Sequence, residues 1–133
     1  MLRLLGLVCI GALSSFAADQ DAIAYGKYLL EEVAKCGECH TPRTEAGAPD
    51  KSKLLKGATL DFQPLHEMKE WHKATPDLTP SGRLFMRWGA PGMQKFLETG
   101  VGPAGRRAEP PMPAYTLRPH DAAAIVAYLQ SLK

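Results

Sequence analysis

The sequence has little net charge, only a short apolar run and no internal repeat. Its formal charge is +2 at pH 7, and its longest basic cluster is Arg106-Arg107. Nucleic-acid binding is therefore not expected, because nucleic-acid binders concentrate positive charge in one region. No segment has a convincing strand pattern. A length of 133 residues, with 45% hydrophobic and 23% charged, is typical of one globular domain.

The N-terminal segment has the three parts of a secretory signal peptide. Arg3 supplies the positive charge, residues 4–13 the apolar centre, and Ser15 and Ala17 the small residues of a cleavage site. The apolar centre is shorter than the ~20 residues of a spanning helix, which disfavours an uncleaved membrane anchor. We expect residues 1–17 to be removed. The mature domain, 18–133, is then periplasmic or secreted and has no stable membrane insertion.

Helical periodicity is clearest at the two ends of the mature chain. Residues 21–35 and 119–132 both place apolar side chains at helical spacing. Residues 91–99, which begin with Pro91 and are followed by Gly100, predict a shorter helix, and residues 65–72 fit another. Eleven prolines and twelve glycines predict long irregular loops. The expected fold class is all-α, with helices at both ends and long loops between them.

The stretch "CGECH", residues 36–40, carries the chemistry of this sequence, and three kinds of site use its cysteine spacing. A zinc site needs four ligands, and the mature chain offers no second closely spaced ligand pair. A thioredoxin-like dithiol follows a strand, and here a helix precedes the motif. A structural disulfide, like the dithiol, leaves the adjacent histidine unexplained. These alternatives are disfavoured.

The third kind of site is covalent haem attachment, for which Cys-x-x-Cys-His is the expected pattern. The thiols of Cys36 and Cys39 would form thioether bonds to the porphyrin, and His40 would become the proximal ligand of the iron. This reading alone explains all three residues. We therefore predict one haem c, bound covalently through Cys36 and Cys39.

With "CGECH" after the first helix, "PPMPAY" at 110–115 and "DAAAIVAYLQSL" at 121–132, the sequence resembles the class I c-type cytochromes from about residue 21 to 132. The resemblance implies a cytochrome c-like fold, in which crossed N- and C-terminal helices and long loops surround one haem. It also implies that Gly26 packs against the last helix near Tyr128. "TPDLTPSG" and "LETGVGPAG" are more narrowly similar to cytochrome subunits of periplasmic dehydrogenases.

The sixth ligand of the iron is predicted to be Met112, because its proline-rich segment has little conformational freedom and matches the methionine loop of the family. Met93 is expected to pack in the core. The rival is a second histidine, and the candidates are His66, His72 and His120. Two residues, Trp88 and Arg83, are further candidates as hydrogen-bond donors to a haem propionate.

The function expected from these features is one-electron transfer by a carrier that is not itself an enzyme and that docks with a redox protein, a dehydrogenase or an oxidase. Two alternatives remain open. In the first alternative, the chain is a haem c subunit of a dehydrogenase complex and docks through an apolar patch formed by residues 60–88. Less favoured is a haem enzyme with an open sixth position, because no acid–base pair is evident beside the iron.

Overall fold

The computed structural model describes the backbone of residues 11–133 and the side chains of residues 19–133. Residues 1–10 of the expected signal peptide lie outside the described residues. The described chain is helical and has no β-strand, which confirms the all-α prediction. No described helix combines the length and apolar character of a membrane span. The four α-helices are α1 (Gly11–Tyr28), α2 (Cys36–His40), α3 (Arg83–Thr99) and α4 (Pro119–Ser131).

The first and last helices pack closely against each other, as predicted. A Cβ atom added to Gly26 would lie 1.8 Å from the carbonyl oxygen of Ala124, so only glycine allows this approach. The contact lies one turn before Tyr128, the residue that the resemblance implied. The hydroxyl of Tyr128 donates a hydrogen bond to Glu31 at 2.6 Å. Glu31 belongs to a π-helical turn, Leu29–Val33, that extends α1.

Helix α4 also packs against α3, and their buried side chains form the core. Ile125 and Leu129 of α4 are each 2% exposed, and Leu30 beside them is fully buried. Burying a side chain of this size stabilises the fold by roughly 2 kcal/mol. From α3 the core receives Phe85, Met93 and Leu97. The predicted core role of Met93 is therefore confirmed.

Helix α3 begins eight residues before the helix predicted over residues 91–99. It contains a break at Gly89, which has φ 63° and ψ 175°, and Pro91 stands near the start of the restarted helix. The prediction therefore found the second half and missed the first. Gly100, at φ 69°, ends the helix, and its N–H donates to the carbonyl of Phe96.

The segment between α2 and α3 folds back on itself. Its two arms are joined by backbone hydrogen bonds from Leu60 to Lys73 and from Thr75 to Ala58, each 2.8 Å long. Residues 61–72, here called the middle loop, connect the arms, and the helix predicted over residues 65–72 is wrong. Leu65 is 97% exposed and buries no apolar face, so a helix this short would lack the tertiary packing it needs.

Candidate functional site

A mostly apolar cavity of about 690 Å³ lies against α2, α3 and α4. Cofactor sites in proteins commonly have volumes of this order. All four predicted site residues lie in its wall: Cys36, Cys39, His40 and Met112. The structure thus brings together residues that are more than seventy positions apart. The apolar wall includes Leu30, Leu78, Phe96, Leu97, Ile125 and Leu129.

Helix α2 is a single short helix that contains the whole "CGECH" motif. The residue before it, Lys35, has φ 54° and ψ 35°, a left-handed conformation that separates α2 from the preceding helical turn. Cys36, Cys39 and His40 stand at positions i, i+3 and i+4, which share one face of a helix. That shared face explains why all three side chains reach one cavity.

His40 is held in one orientation by the carbonyl group of a residue that lies 36 positions away in the sequence. Its ring is 5% exposed, and its Nδ1 lies 2.9 Å from the carbonyl oxygen of Pro76. Because a carbonyl oxygen only accepts, Nδ1 carries the proton and Nε2 is left with a free lone pair. Burial lowers the pKa of His40, and the hydrogen bond to Pro76 acts against that shift without reversing it. The imidazole is therefore neutral and suited to bind a metal.

The two cysteines are free thiols at the edge of the same cavity. Burial raises the pKa of Cys36 to about 11, and burial also raises the pKa of Cys39. A redox dithiol works through a thiolate with a lowered pKa, which these environments do not provide. The described residues contain no cluster of three or more His, Cys, Asp or Glu side chains suited to hold a metal ion.

The candidates for a sixth ligand separate by position. Met112 and His72 line the cavity, and so does Met93, which α3 holds in the core. Met68 and Met86 are 43% and 69% exposed and do not line it. His66 and His120 lie outside the cavity too, and both are exposed. Among the histidine rivals that the sequence left open, His72 alone therefore faces this site.

Two threonines that the sequence did not single out support α2. Thr75 donates its hydroxyl proton to the carbonyl of Cys39 at 2.8 Å and accepts the N–H of Ala58 at 3.0 Å. Thr41, which is 2% exposed, accepts the N–H of Leu55 at 3.0 Å. The folded-back segment thus holds the end of α2 in place. Thr75 and Pro76 belong to "TPDLTPSG", which the sequence marks as a motif without showing its contacts.

Of the two candidate hydrogen-bond donors to a haem propionate, one lines the cavity and the other does not. Trp88 lines the cavity and packs against Phe96, with ring centroids 5.2 Å apart. Arg83 is exposed and does not line the cavity. Two other arginines, Arg106 and Arg107, do line it. A turn after α3 carries them, and their place was not visible in the sequence because nothing there shows that this turn folds over the cavity.

The apolar patch expected over residues 60–88 is not continuous at the surface. Phe85 is buried, and Leu84 and Trp88 form part of the cavity wall. Phe62 and Leu65, in the middle loop, remain exposed at 47% and 97%. The exposed apolar side chains of this part of the chain are therefore separated: Phe62, Leu65 and Met68 lie in the middle loop, and Met86, 69% exposed, lies on α3.

The cavity meets the requirements of a haem in its volume, its apolar wall and its donor atoms. It presents two neutral thiols, an imidazole with a free Nε2 and a methionine thioether. These are the groups that bind haem covalently and ligate its iron in c-type cytochromes. The residues present therefore fit this cofactor.

Comparison with known proteins agrees with the geometry. The family model of cytochrome c matches residues 23–133. A diheme cytochrome c-type protein of Cereibacter sphaeroides is 33% identical over 110 residues, which cover 79% of this chain and 33% of that protein. The fructose dehydrogenase cytochrome subunit of Gluconobacter japonicus is 34% identical over 113 residues, which cover 80% and 21% respectively. The chain thus spans about a third and a fifth of these relatives. It belongs to the cytochrome c family, whose members carry covalently bound haem c and transfer electrons.

Proposed function

We propose that the chain is a periplasmic or secreted electron carrier with one haem c. Cys36 and Cys39 would hold the group covalently, and His40 and Met112 would be its axial ligands. When bound, the haem supplies a one-electron change between Fe(III) and Fe(II). The observation that carries the proposal is the hydrogen bond from His40 Nδ1 to Pro76, because it leaves Nε2 free in a cavity that Met112 and both thiols also line.

The side chains around the cavity suit an electron carrier. The apolar residues of α3 and α4 exclude water, and a thioether ligand favours Fe(II) and so raises the reduction potential. With Met112 in the sixth position no coordination site is left open for a substrate, which is why we propose a carrier and not an enzyme. Residues 1–17 are proposed to be a cleaved signal peptide and 18–133 the cytochrome domain, in keeping with a family match that begins at residue 23.

A second candidate function is that of a haem c subunit in a dehydrogenase complex. The similarity to a fructose dehydrogenase cytochrome subunit favours it, although the matched part is 21% of that protein. The exposed Phe62 and Leu65 provide apolar surface for such a partner. Under either candidate the partner is a redox protein, a dehydrogenase or an oxidase. Co-purification of the full chain from its native host with a dehydrogenase would favour the second candidate.

The test of the axial ligands is the absorption spectrum of the protein made in a secreting host that attaches c-type haem. We expect a Soret band, one haem per chain by the pyridine haemochrome assay, and the weak near-infrared band of a methionine sulfur bound to Fe(III). Met112→Ala should lose the near-infrared band and keep the Soret band. Met86→Ala is the matched control, because Met86 is 69% exposed and lies outside the cavity, and it should keep both bands.

Three results would contradict the proposal. A protein without a Soret band would return the cysteines to thiol chemistry. A second haem per chain would exclude a single-haem carrier. A Soret band without the near-infrared band would point to His72 as the sixth ligand or to an open, catalytic iron.

A further inference from the structure

The middle loop is attached to the segment that carries Met112, and it is attached at two points. The backbone N–H of His72, the last residue of the loop, donates to the carbonyl of Pro110 at 2.9 Å. The Nε2 atom of the same histidine pairs with the carboxylate of Glu109. Both His72 and Glu109 line the cavity. The contact therefore lies at the site and is not a remote surface pair.

Glu109 is in turn bonded to Met112 through the backbone. The N–H of Met112 donates to the carbonyl of Glu109 at 3.0 Å, which closes residues 109–112 into one turn. On its other side this turn is tied to the end of α3, because the N–H of Ala108 donates to the carbonyl of Gly100 at 3.0 Å. The Met112 turn is thus held from two directions, by α3 and by His72.

We propose that His72 and Glu109 form a clip that positions Met112 and keeps its turn closed over the cavity. The inference rests on the proposed function, in which Met112 is the sixth ligand. His72 then acts as a positioning residue and not as a ligand, since Glu109 occupies its Nε2 atom. A thioether carries no charge, so how firmly it stays in place depends on how firmly its turn is held.

The clip assigns a role to the middle loop that no sequence pattern indicated. The side chains of the pair are 58% and 48% exposed, so solvent weakens the interaction without abolishing it. Its effect should therefore be partial: the turn opens more often when the pair is broken, and the fold persists. Binding of an added ligand that competes with Met112 measures that opening directly, and cyanide is the probe.

The experiment compares four variants of the full haem-loaded protein in their oxidised state. In His72→Ala and in Glu109→Ala we expect cyanide to bind about two- to fivefold more tightly, the effect of losing one partly exposed ion pair. The double variant should show no further change, because either substitution alone breaks the pair. His72→Gln retains an N–H donor for Glu109 and should restore most of the original affinity. Far-UV circular dichroism of each variant gives the midpoint of global unfolding.

His66→Ala is the matched control. His66 belongs to the same loop, is exposed and lies outside the cavity, so its removal should leave cyanide affinity and the near-infrared band unchanged. The clip is overturned if His72→Ala behaves like His66→Ala, or if the double variant shows the sum of both single effects. The clip is also overturned if His72→Ala lowers the unfolding midpoint followed by the near-infrared band and the midpoint followed by circular dichroism by the same amount, because equal shifts indicate general destabilisation.

Two further outcomes separate this inference from the function on which it rests. Loss of the low-spin spectrum in His72→Ala but not in Glu109→Ala would make His72 the ligand and would overturn both proposals. The absence of the near-infrared band from the unmodified protein would overturn the Met112 assignment, and the clip with it. A normal band in the unmodified protein, together with unchanged cyanide affinity in every variant, would overturn the clip alone.

Discussion

Gly26 of α1 lies directly on the carbonyl group of Ala124 in α4. The space between them is so small that a Cβ atom on Gly26 would lie 1.8 Å from that oxygen and 2.4 Å from its carbon. Both of these atoms are backbone atoms, which cannot rotate away as a side chain can. The helix pair is therefore set by a contact that only one residue type allows, and α4 in turn supplies two side chains to the cavity wall, Ile125 and Leu129.

Gly26→Ala is expected to lower the free energy of unfolding by about 3 kcal/mol, because the helices must move apart to admit the methyl group. Denaturant unfolding followed by far-UV circular dichroism measures the change. Gly37→Ala is the control, since a Cβ atom there meets only the Thr41 hydroxyl, at an ordinary 3.6 Å. If both variants unfold at the same denaturant concentration as the unmodified protein, the close helix contact is not present in solution.

Tyr128 should make the protein less stable at alkaline pH. Burial, together with the hydrogen bond that its hydroxyl donates to Glu31 and the charge of that carboxylate, raises its pKa above the usual 10.0. The unfolded chain loses this proton at lower pH than the folded chain does. The stabilisation is therefore complete below about pH 10 and is lost as the pH rises through the higher pKa of the folded state.

Tyr128→Phe should then cost about 1 kcal/mol at neutral pH and should remove the part of the alkaline destabilisation that comes from Tyr128. The free energy of unfolding measured between pH 7 and 11 checks both effects. Tyr28→Phe serves for comparison, because Tyr28 is 55% exposed, and its profile should follow that of the unmodified protein. Parallel profiles for Tyr128→Phe and the unmodified protein would exclude this role.

Arg106 and Arg107 should raise the reduction potential of the haem-loaded protein, since both line the cavity. Positive charge near the iron disfavours the extra positive charge of Fe(III). Replacing both residues with Gln should lower the potential by tens of millivolts, equivalent to a Coulomb interaction on the order of 0.5 kcal/mol between solvated charges. Potentiometric titration measures the shift, which should shrink at high ionic strength.

Arg83→Gln is the control for this charge effect, because Arg83 is exposed and does not line the cavity. Its potential should stay close to that of the unmodified protein. An equal shift in the Arg83 variant and in the Arg106–Arg107 variant would mean that net charge alone sets the potential and that position at the cavity is without effect.

The local parts of the site were predictable, and the distant contacts were not. "CGECH" lies within one helical turn, so its spacing alone places three side chains together. The partner of His40 is 36 residues away, and no pattern shows which carbonyl will meet the ring. The same holds for His72 and Glu109, which are 37 positions apart. The axial role of His40 and the positioning role of the His72–Glu109 pair are predictions that the spectra will test.

The helices were predictable to the extent that periodicity and end signals agreed. Residues 119–132 combine a first-position proline with a regular apolar face, and α4 follows them closely. The first half of α3 was missed because the break at Gly89 and the proline after it mark a helix start in the middle of a longer element. The short helix predicted over residues 65–72 did not form, since Leu65 at its start is 97% exposed and finds nothing to pack against.

The hydrogen bond between His40 and Pro76 places the orientation of the His40 ring under the influence of a residue outside the "CGECH" motif. The basicity and orientation of the imidazole depend on where the Pro76 carbonyl stands, and that position is set by the pairing of the two arms, through Thr75 and Ala58 among others. Insertions or substitutions in those arms would change the surroundings of the imidazole without altering any residue of "CGECH". In the haem-loaded protein the redox character would thus depend on the arms as well as on the motif.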